Sequence, residues 1–271
     1  MVTEIDDRPR VLVTRATGQT DQLIAALDAA GVVAVPVPTI DVELAPGGGA
    51  LDEAIQGVGS YAWVVVTSTN GALAVLRAAE RVFVPFEATR WAVIGNATRE
   101  VLEREGVDVA FQPSLSTAAG LASELPVAPR DRVLLVRGNL ADDRAPAILG
   151  RRGAVVRDVL GYTTVEAPAS SVGLLAEAFA GPLEIALFTS GSTVRGLVGL
   201  ADLEAIDVRR LPAVCIGRET ATEAARLGFD VVAVASAPDT QSLAHTAARA
   251  IADLRRDSAP IAAIRKGGSR R

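Results

Sequence analysis

One spacing runs through this chain. VLVTR at 11–15 is answered by VLLVR at 133–137, 122 residues further on. The same offset relates Gly31 to Gly153, Thr67-Ser68 to Thr189-Ser190 and Ile94-Gly95 to Ile216-Gly217. It also relates Thr98 to Thr220, Gly106 to Gly228 and Leu121 to Leu243. Chance similarity between unrelated segments would not hold one register this long without a gap, so the chain reads as two similar halves from an internal duplication. A length of 271 residues is enough for two domains with real cores.

The composition is 49% hydrophobic but only 4% aromatic, which suits aliphatic layers packed on one another. Short apolar runs recur at Val11–Thr14, Val32–Val37, Trp63–Thr67, Trp91–Gly95, Val107–Phe111, Val133–Arg137, Ala154–Asp158, Ile185–Thr189, Ala213–Gly217 and Phe229–Ala233. Between them lie stretches of 3.6-residue periodicity that end at Gly, such as TDQLIAALDAAG and TATEAARLG. Strands alternating with helices predict an α/β fold with parallel sheets, each half holding enough for a doubly wound, flavodoxin-like sheet. Pro38–Val42 and Leu160–Thr164 also correspond at the offset, and both are extended. They are candidates for strands that cross between domains, in which case the first βα unit of each half completes the other half's sheet. Periodicity alone leaves sequential and exchanged domains both open.

The scarce residues narrow the chemistry. Cys215 is the only cysteine, so no internal disulfide and no Cys/His zinc site is available, and no metal is expected. His245 is the only histidine, in the helical stretch 241–251, where a structural or solvent-facing role is favoured over a nucleophile relay. The single lysine, Lys266, lies in a polar basic tail, which argues against Schiff-base or P-loop chemistry. The net charge of −5 gives no steering toward nucleic acid. The acidic start MVTEIDDRPR is not a signal peptide, and no continuous apolar run of ~20 residues is present. These features predict a soluble, cytoplasmic protein with neither nucleic-acid nor membrane partners.

The segments that correspond between halves sit mostly at strand ends, where open α/β sheets bind ligands. TSTNG (67–71) and TSGST (189–193) each follow a strand and open a helix, gathering hydroxyls and free backbone N–H groups at a positive helix end. IGNAT (94–98) and IGRET (216–220) repeat the design. Each motif alone is a good helix cap; four at equivalent strand ends point to a shared cleft. Arg15 and Arg137, the latter followed by Gly138, stand at equivalent ends of the first strand of each half, suited to carboxylates or to capping a loop. Tyr162, in GYTT on the crossing segment, is either a general acid or a packing residue.

The series VLVTR, VVVTSTNG, VIGNAT, VLLVRG, GYTT, LFTSGSTV and CIGRET resembles the uroporphyrinogen-III synthase family in order and spacing, over roughly 11–250. The resemblance implies two flavodoxin-like α/β domains joined by a two-stranded β-ladder. One domain would be 1–38 with 166–257, the other 43–160, with 39–42 and 161–165 as linker strands and 258–271 as a flexible basic tail. It implies a lyase of tetrapyrrole biosynthesis that works without cofactor, as a monomer, closing linear hydroxymethylbilane to uroporphyrinogen III with loss of water and inversion of the terminal pyrrole. A non-catalytic relative that senses a tetrapyrrole or another polyanion is the alternative.

By the same resemblance Tyr162 matches the tyrosine of the family's Y-x-T motif and is the candidate proton donor. Thr220 matches the I-G-x-x-T threonine, and Thr67, Ser68, Thr189, Ser190 and Ser192 match the T-S turns, as substrate contacts. Arg15, Asn70, Gly95, Thr98, Arg137, Gly138 and Gly217 complete the expected substrate-binding set. The family usually has Pro where this chain has Ala16 and Arg218.

Overall fold

The computed structural model describes residues 7–18, 20–85 and 89–258. The segments 1–6 and 259–271 lie outside the described residues, and with them the start of the chain, Lys266 and almost all of the expected basic tail. The strands are β1 (Arg10–Val13), β2 (Val33–Pro36), β3 (Ile40–Leu44), β4 (Trp63–Val66), β5 (Arg90–Val93), β6 (Val109–Phe111), β7 (Arg132–Gly138), β8 (Val155–Glu166), β9 (Ile185–Phe188), β10 (Ala213–Cys215) and β11 (Val231–Val234). The helices are α1 (Asp21–Ala29), α2 (Ala50–Gln56), α3 (Thr69–Val82), α4 (Asn96–Arg104), α5 (Ala118–Glu124), α6 (Arg144–Arg151), α7 (Leu174–Phe179), α8 (Gly191–Glu204), α9 (Arg218–Arg226) and α10 (Thr240–Ser258).

The chain divides into two compact units, 1–41 with 165–271 and 42–164. The divisions fall inside β3 and inside β8. In the first unit the strands run in the order β2-β1-β9-β10-β11, all neighbours parallel. In the other sheet the order is β3-β8-β7-β4-β5-β6, parallel from β8 onward. Thus β1 and β2 of the first half extend a sheet made by the second half, and β7 and β8 of the second half extend the sheet of the first.

The repeat survives as register. Val11 lies opposite Ala34 and Ile185, and Val133, at the same offset, lies opposite Val156 and Trp63. A shift in pairing between Ala213 and Val214 recurs between Trp91 and Ala92. Central strands β4 (WVVV) and β9 (IALF) are buried at every position, as strands covered by helices on both faces must be.

One difference between the halves has a plain cause. The runs Ala154–Asp158 and Leu160–Thr164, expected as separate extended segments, form the single twelve-residue strand β8. In the first half β2 and β3 stay apart, because Pro36 and Pro38 stand where the second half has Asp158 and Leu160. Proline has no N–H to give to a ladder and fixes its own φ. Past this point β3 and β8 are hydrogen-bonded neighbours, with Ala45 N–H donating to Gly161 O (2.8 Å) and Ala167 N–H to Thr39 O (3.0 Å).

The strand and the first helix behind it meet closely in both halves, and the small residue has changed sides. On α8, Gly196 lies so near Thr39 that an added Cβ would sit 1.9 Å from the Thr39 carbonyl oxygen. At the matching places the strand carries Gly161 and the helix Ala74, 3.5 Å apart by the same construction. The glycine has moved from helix to strand, so the close approach is kept with the side chain on the other element.

Candidate functional site

Parallel strands end on the same edge of their sheet, so each unit gathers its strand-end motifs by topology. In the 42–164 unit the edge holds the turn from β4 to α3, the turn from β5 to α4, the end of β7, and Tyr162 on β8. Ser68 caps α3 with extended backbone geometry, its Oγ accepting from Gly71 N–H at 3.1 Å. The same hydroxyl donates to Tyr162 Oη at 3.0 Å. Tyr162 therefore holds a hydrogen bond as acceptor and keeps its own O–H for another partner. Its ring lies against Gly138, where a Cβ would come within 2.6 Å of Cζ and 2.8 Å of Oη. In the first half the corresponding residues are Ala16 and Ile40: the Cβ returns where the phenol is missing.

Thr67 Oγ1 makes only a long contact to Val136 O (3.5 Å), and Asn70 lies in the first turn of α3. Gly95 is the extended cap of α4, and Thr98, third residue of that helix, is 5% exposed. No described residue hydrogen-bonds to the Thr98 hydroxyl.

In the other unit, Ser190 caps α8 and forms a capping box with Thr193. Ser190 Oγ and Ser192 Oγ are 2.8 Å apart, and Thr189 stands just before them. Gly217 caps α9 in extended geometry, and Thr220 repeats Thr98, being 6% exposed with no described partner for its hydroxyl. Arg218 opens α9 and is exposed; proline is at home in that position because the helix leaves its N–H unbonded, and arginine costs the helix nothing there. Ala16 is buried.

The two arginines, alike in sequence, differ in structure. Arg137 directs all five of its N–H groups to protein acceptors: Nε and Nη2 to Asp158, Nη2 also to Asp143 (2.8 Å), and Nη1 to the carbonyls of Ala141 (2.9 Å) and Asp142 (2.7 Å). The Asp158 and Asp143 carboxylates hold its pKa well above the ordinary arginine value. A carboxylate ligand expected at Arg137 would have to displace one of these protein acceptors. Arg15 is half-buried, and no described residue hydrogen-bonds or ion-pairs with its guanidinium. Burial pulls its pKa below the usual arginine value. Pro36, in the place of Asp158, removes the partner.

The remaining groups are chemically quiet. His245 is exposed on α10. Cys215 is buried in β10, and desolvation pushes its thiol up to about 12. Among the described residues no cluster of His, Cys, Asp and Glu could hold a metal ion, and no helix is long and apolar enough to cross a membrane. An open groove of 810 Å³ lined by Leu73, Leu76, Arg77 and Phe83 lies along the second half of α3, toward the end away from the Ser68 cap. The reading from sequence missed Asn139, beside Gly138, whose side chain binds the backbone of Thr164. Its only trace in sequence is an asparagine directly after a strand.

Comparison with known proteins places these motifs. Residues 21–245 match the family model described as uroporphyrinogen-III synthase HemD. A porphyrin biosynthesis protein HemD from Ruminiclostridium josui is 28% identical over 238 residues, covering 82% of this chain and 45% of that protein. The uroporphyrinogen-III synthase of Synechococcus elongatus is 28% identical over 197 residues, covering 70% of this chain and 74% of that protein. Among solved structures, a uroporphyrinogen III synthase mutant from Thermus thermophilus is similar in fold, with a TM-score of 0.63 at 18% identity over 90% of this chain and 99% of that one.

Proposed function

The chain belongs to the uroporphyrinogen-III synthase family, and on that premise we propose that it closes hydroxymethylbilane to uroporphyrinogen III, with Tyr162 as the proton donor. The observation that carries this reading is the Tyr162 phenol, fixed at its ring by Gly138 and at its oxygen by Ser68, with its own proton uncommitted.

The difficult step is departure of the hydroxymethyl oxygen. Tyr162 O–H protonates that oxygen, the C–O bond breaks, and water leaves with the bonding pair. The adjacent pyrrole nitrogen supplies its lone pair, giving an azafulvene-like cation. The Ser68 hydroxyl, itself bonded to the α3 amide of Gly71, stays on the Tyr162 oxygen as its proton leaves. The substituted α-carbon of the terminal ring attacks the cation to form a spiro intermediate. The bond from that carbon to its original methylene bridge then breaks, leaving a second azafulvene-like cation. The free α-carbon of the same ring attacks this cation and closes the macrocycle with the ring inverted. The carbon that closes the macrocycle then loses a proton, which restores the phenol, so the balance is loss of one water. No cofactor enters this scheme, and much of the acceleration is orientation of a reactive substrate.

The substrate's eight carboxylates suit the hydroxyl-bearing caps. Thr67, Asn70, Gly95 and Thr98 in one unit, and Arg15, Thr189, Ser190, Ser192, Gly217 and Thr220 in the other, are the proposed contacts. Charge-assisted bonds to helix N-termini and to a guanidinium with no partner among the described residues favour anions. Ser68 and Gly138 act on Tyr162, and Arg137 leaves the ligand set. Strand order 2-1-3-4-5 supports a flavodoxin-like sheet in the first unit, and the β3–β8 hydrogen bonds support a two-stranded ladder where the chain passes between units. The comparisons give no support to a non-catalytic polyanion sensor.

The test is to supply hydroxymethylbilane and identify the uroporphyrin isomers after oxidation. Isomer III is expected, and Tyr162→Phe should lower kcat about 100-fold, within the range for loss of a general acid. Isomer I alone, as in spontaneous closure, would overturn the activity; wild-type turnover in Tyr162→Phe would overturn the proton-donor role.

A further inference from the structure

We propose that Asn139 is a positioning residue for Tyr162, presented by the loop that Arg137 clamps; only its effect on rate rests on the proton-donor reading above. Three sets of observations converge on it.

The first is where β7 stops supporting β8. Arg137 lies opposite Leu160, but Gly138 lies opposite Tyr162, so Gly161 is an extra residue and the ladder is interrupted immediately before the phenol. Beyond the interruption, Asn139 takes over. Its backbone N–H donates to Tyr162 O (3.3 Å), its Nδ2 donates to Thr164 O (3.2 Å), and its Oδ1 accepts from Thr164 N–H (2.8 Å). A side-chain amide bonded in both directions stands in for the next peptide of β7. The backbone that follows the Tyr162 side chain, from its own carbonyl to Thr164, is thereby tied to one residue.

The second is what holds Asn139. The loop after it is gripped by Arg137, which holds the carbonyls of Ala141 and Asp142 and the carboxylate of Asp143, while Asp158 on β8 anchors the guanidinium itself. Loop and strand are joined by one cation.

The third is the comparison inside the molecule. The first half repeats the register only as far as Val13 and Pro36, after which β2 and β3 part, and it lacks this apparatus: Thr17 stands for Asn139, Pro36 for Asp158, Ala16 for Gly138 and Ile40 for Tyr162. The register that the two halves share forms without the device. The device is present only where there is a phenol to hold.

The test uses the two tyrosines, Tyr61 and Tyr162, as reporters. In full-length protein labelled with 3-fluorotyrosine, two ¹⁹F resonances are expected, assigned with a Tyr61→Phe variant. Asn139→Ala should shift and broaden the Tyr162 resonance and leave that of Tyr61 in place. It should also lower kcat about tenfold with KM within about twofold, the pattern of a misplaced reacting group. Asn139→Asp, which keeps the acceptor for Thr164 N–H, should recover part of the rate. An unmoved Tyr162 resonance overturns the proposal, as does movement of both resonances with a collapse in Tm, or an unchanged kcat where Tyr162→Phe is slow. Should Tyr162→Phe keep the wild-type rate while Asn139→Ala moves the Tyr162 resonance, the proton-donor reading fails and the positioning role stands.

Discussion

Arg15 and Arg137 occupy the same place in the two halves, and one substitution elsewhere sends them to different tasks. With Asp158 beside it, Arg137 is a strut; with Pro36 in that place, Arg15 is a half-buried cation with no described partner. A partly desolvated charge with no described counter-ion is the sort of group that lowers stability in exchange for function. Arg15→Met should therefore raise KM for hydroxymethylbilane about tenfold while raising unfolding stability by ~0.5–1 kcal/mol. Kinetics and urea midpoints measure the two effects, and a variant that loses stability with KM unchanged would show that Arg15 is structural. The two environments were hidden from a reading of the motifs alone, since VLVTR and VLLVR look the same. The signal was Pro36 against Asp158, one strand away and meaningful only once the register is known.

At the scale of elements, helices and strands are fastened by a few crowded contacts and ion pairs. Gly196→Ala would drive a methyl into the Thr39 carbonyl, where neither α8 nor the strand end can give, and should cost about 2–3 kcal/mol as overpacking, read from urea unfolding. Ala74→Gly, at the matching position beside Gly161, should be milder, about 1 kcal/mol from helix propensity. Glu223 on α9 is held by Arg226 and Arg195, and Arg195 also pairs with Glu166 at the end of β8. These two guanidiniums bring the Glu223 carboxyl down to about 2, below the unfolded value of about 4.3. Its ionised form is the one the fold favours, so the contribution is complete above about pH 4.5 and is lost as pH falls toward 2. Glu223→Gln should flatten the fall of the urea midpoint across that window; an equally steep fall would remove Glu223 from the acid response. Element positions followed from apolar runs to within a residue or two. The fusion of two segments into β8 did not, because whether a ladder continues depends on a partner strand's N–H and C=O groups.

At the scale of the whole molecule, the chain leaves one sheet unfinished, builds another, and returns. Residues 42–164 carry β4 to β7 and most of β8 in one continuous stretch, whereas the first unit takes β1 and β2 from one end of the chain and β9 to β11 from the other. The isolated 42–164 segment should fold cooperatively, and the isolated 165–258 segment should not, because without β1 the buried face of β9 has no strand on that side. Circular dichroism and urea titration of the two pieces give the answer, and cooperative unfolding of 165–258 alone would refute it. The sequence by itself determined that there are two alike halves and that they are parallel α/β, and it placed hydroxyls, arginines and a phenol near the strand ends, because periodicity and residue inventory are local properties repeated at a fixed offset. Only the tertiary structure decided which half completes which sheet, which arginine is spent, and what holds the phenol. Those depend on hydrogen bonds between residues far apart in the chain, and a single missing acceptor reverses them.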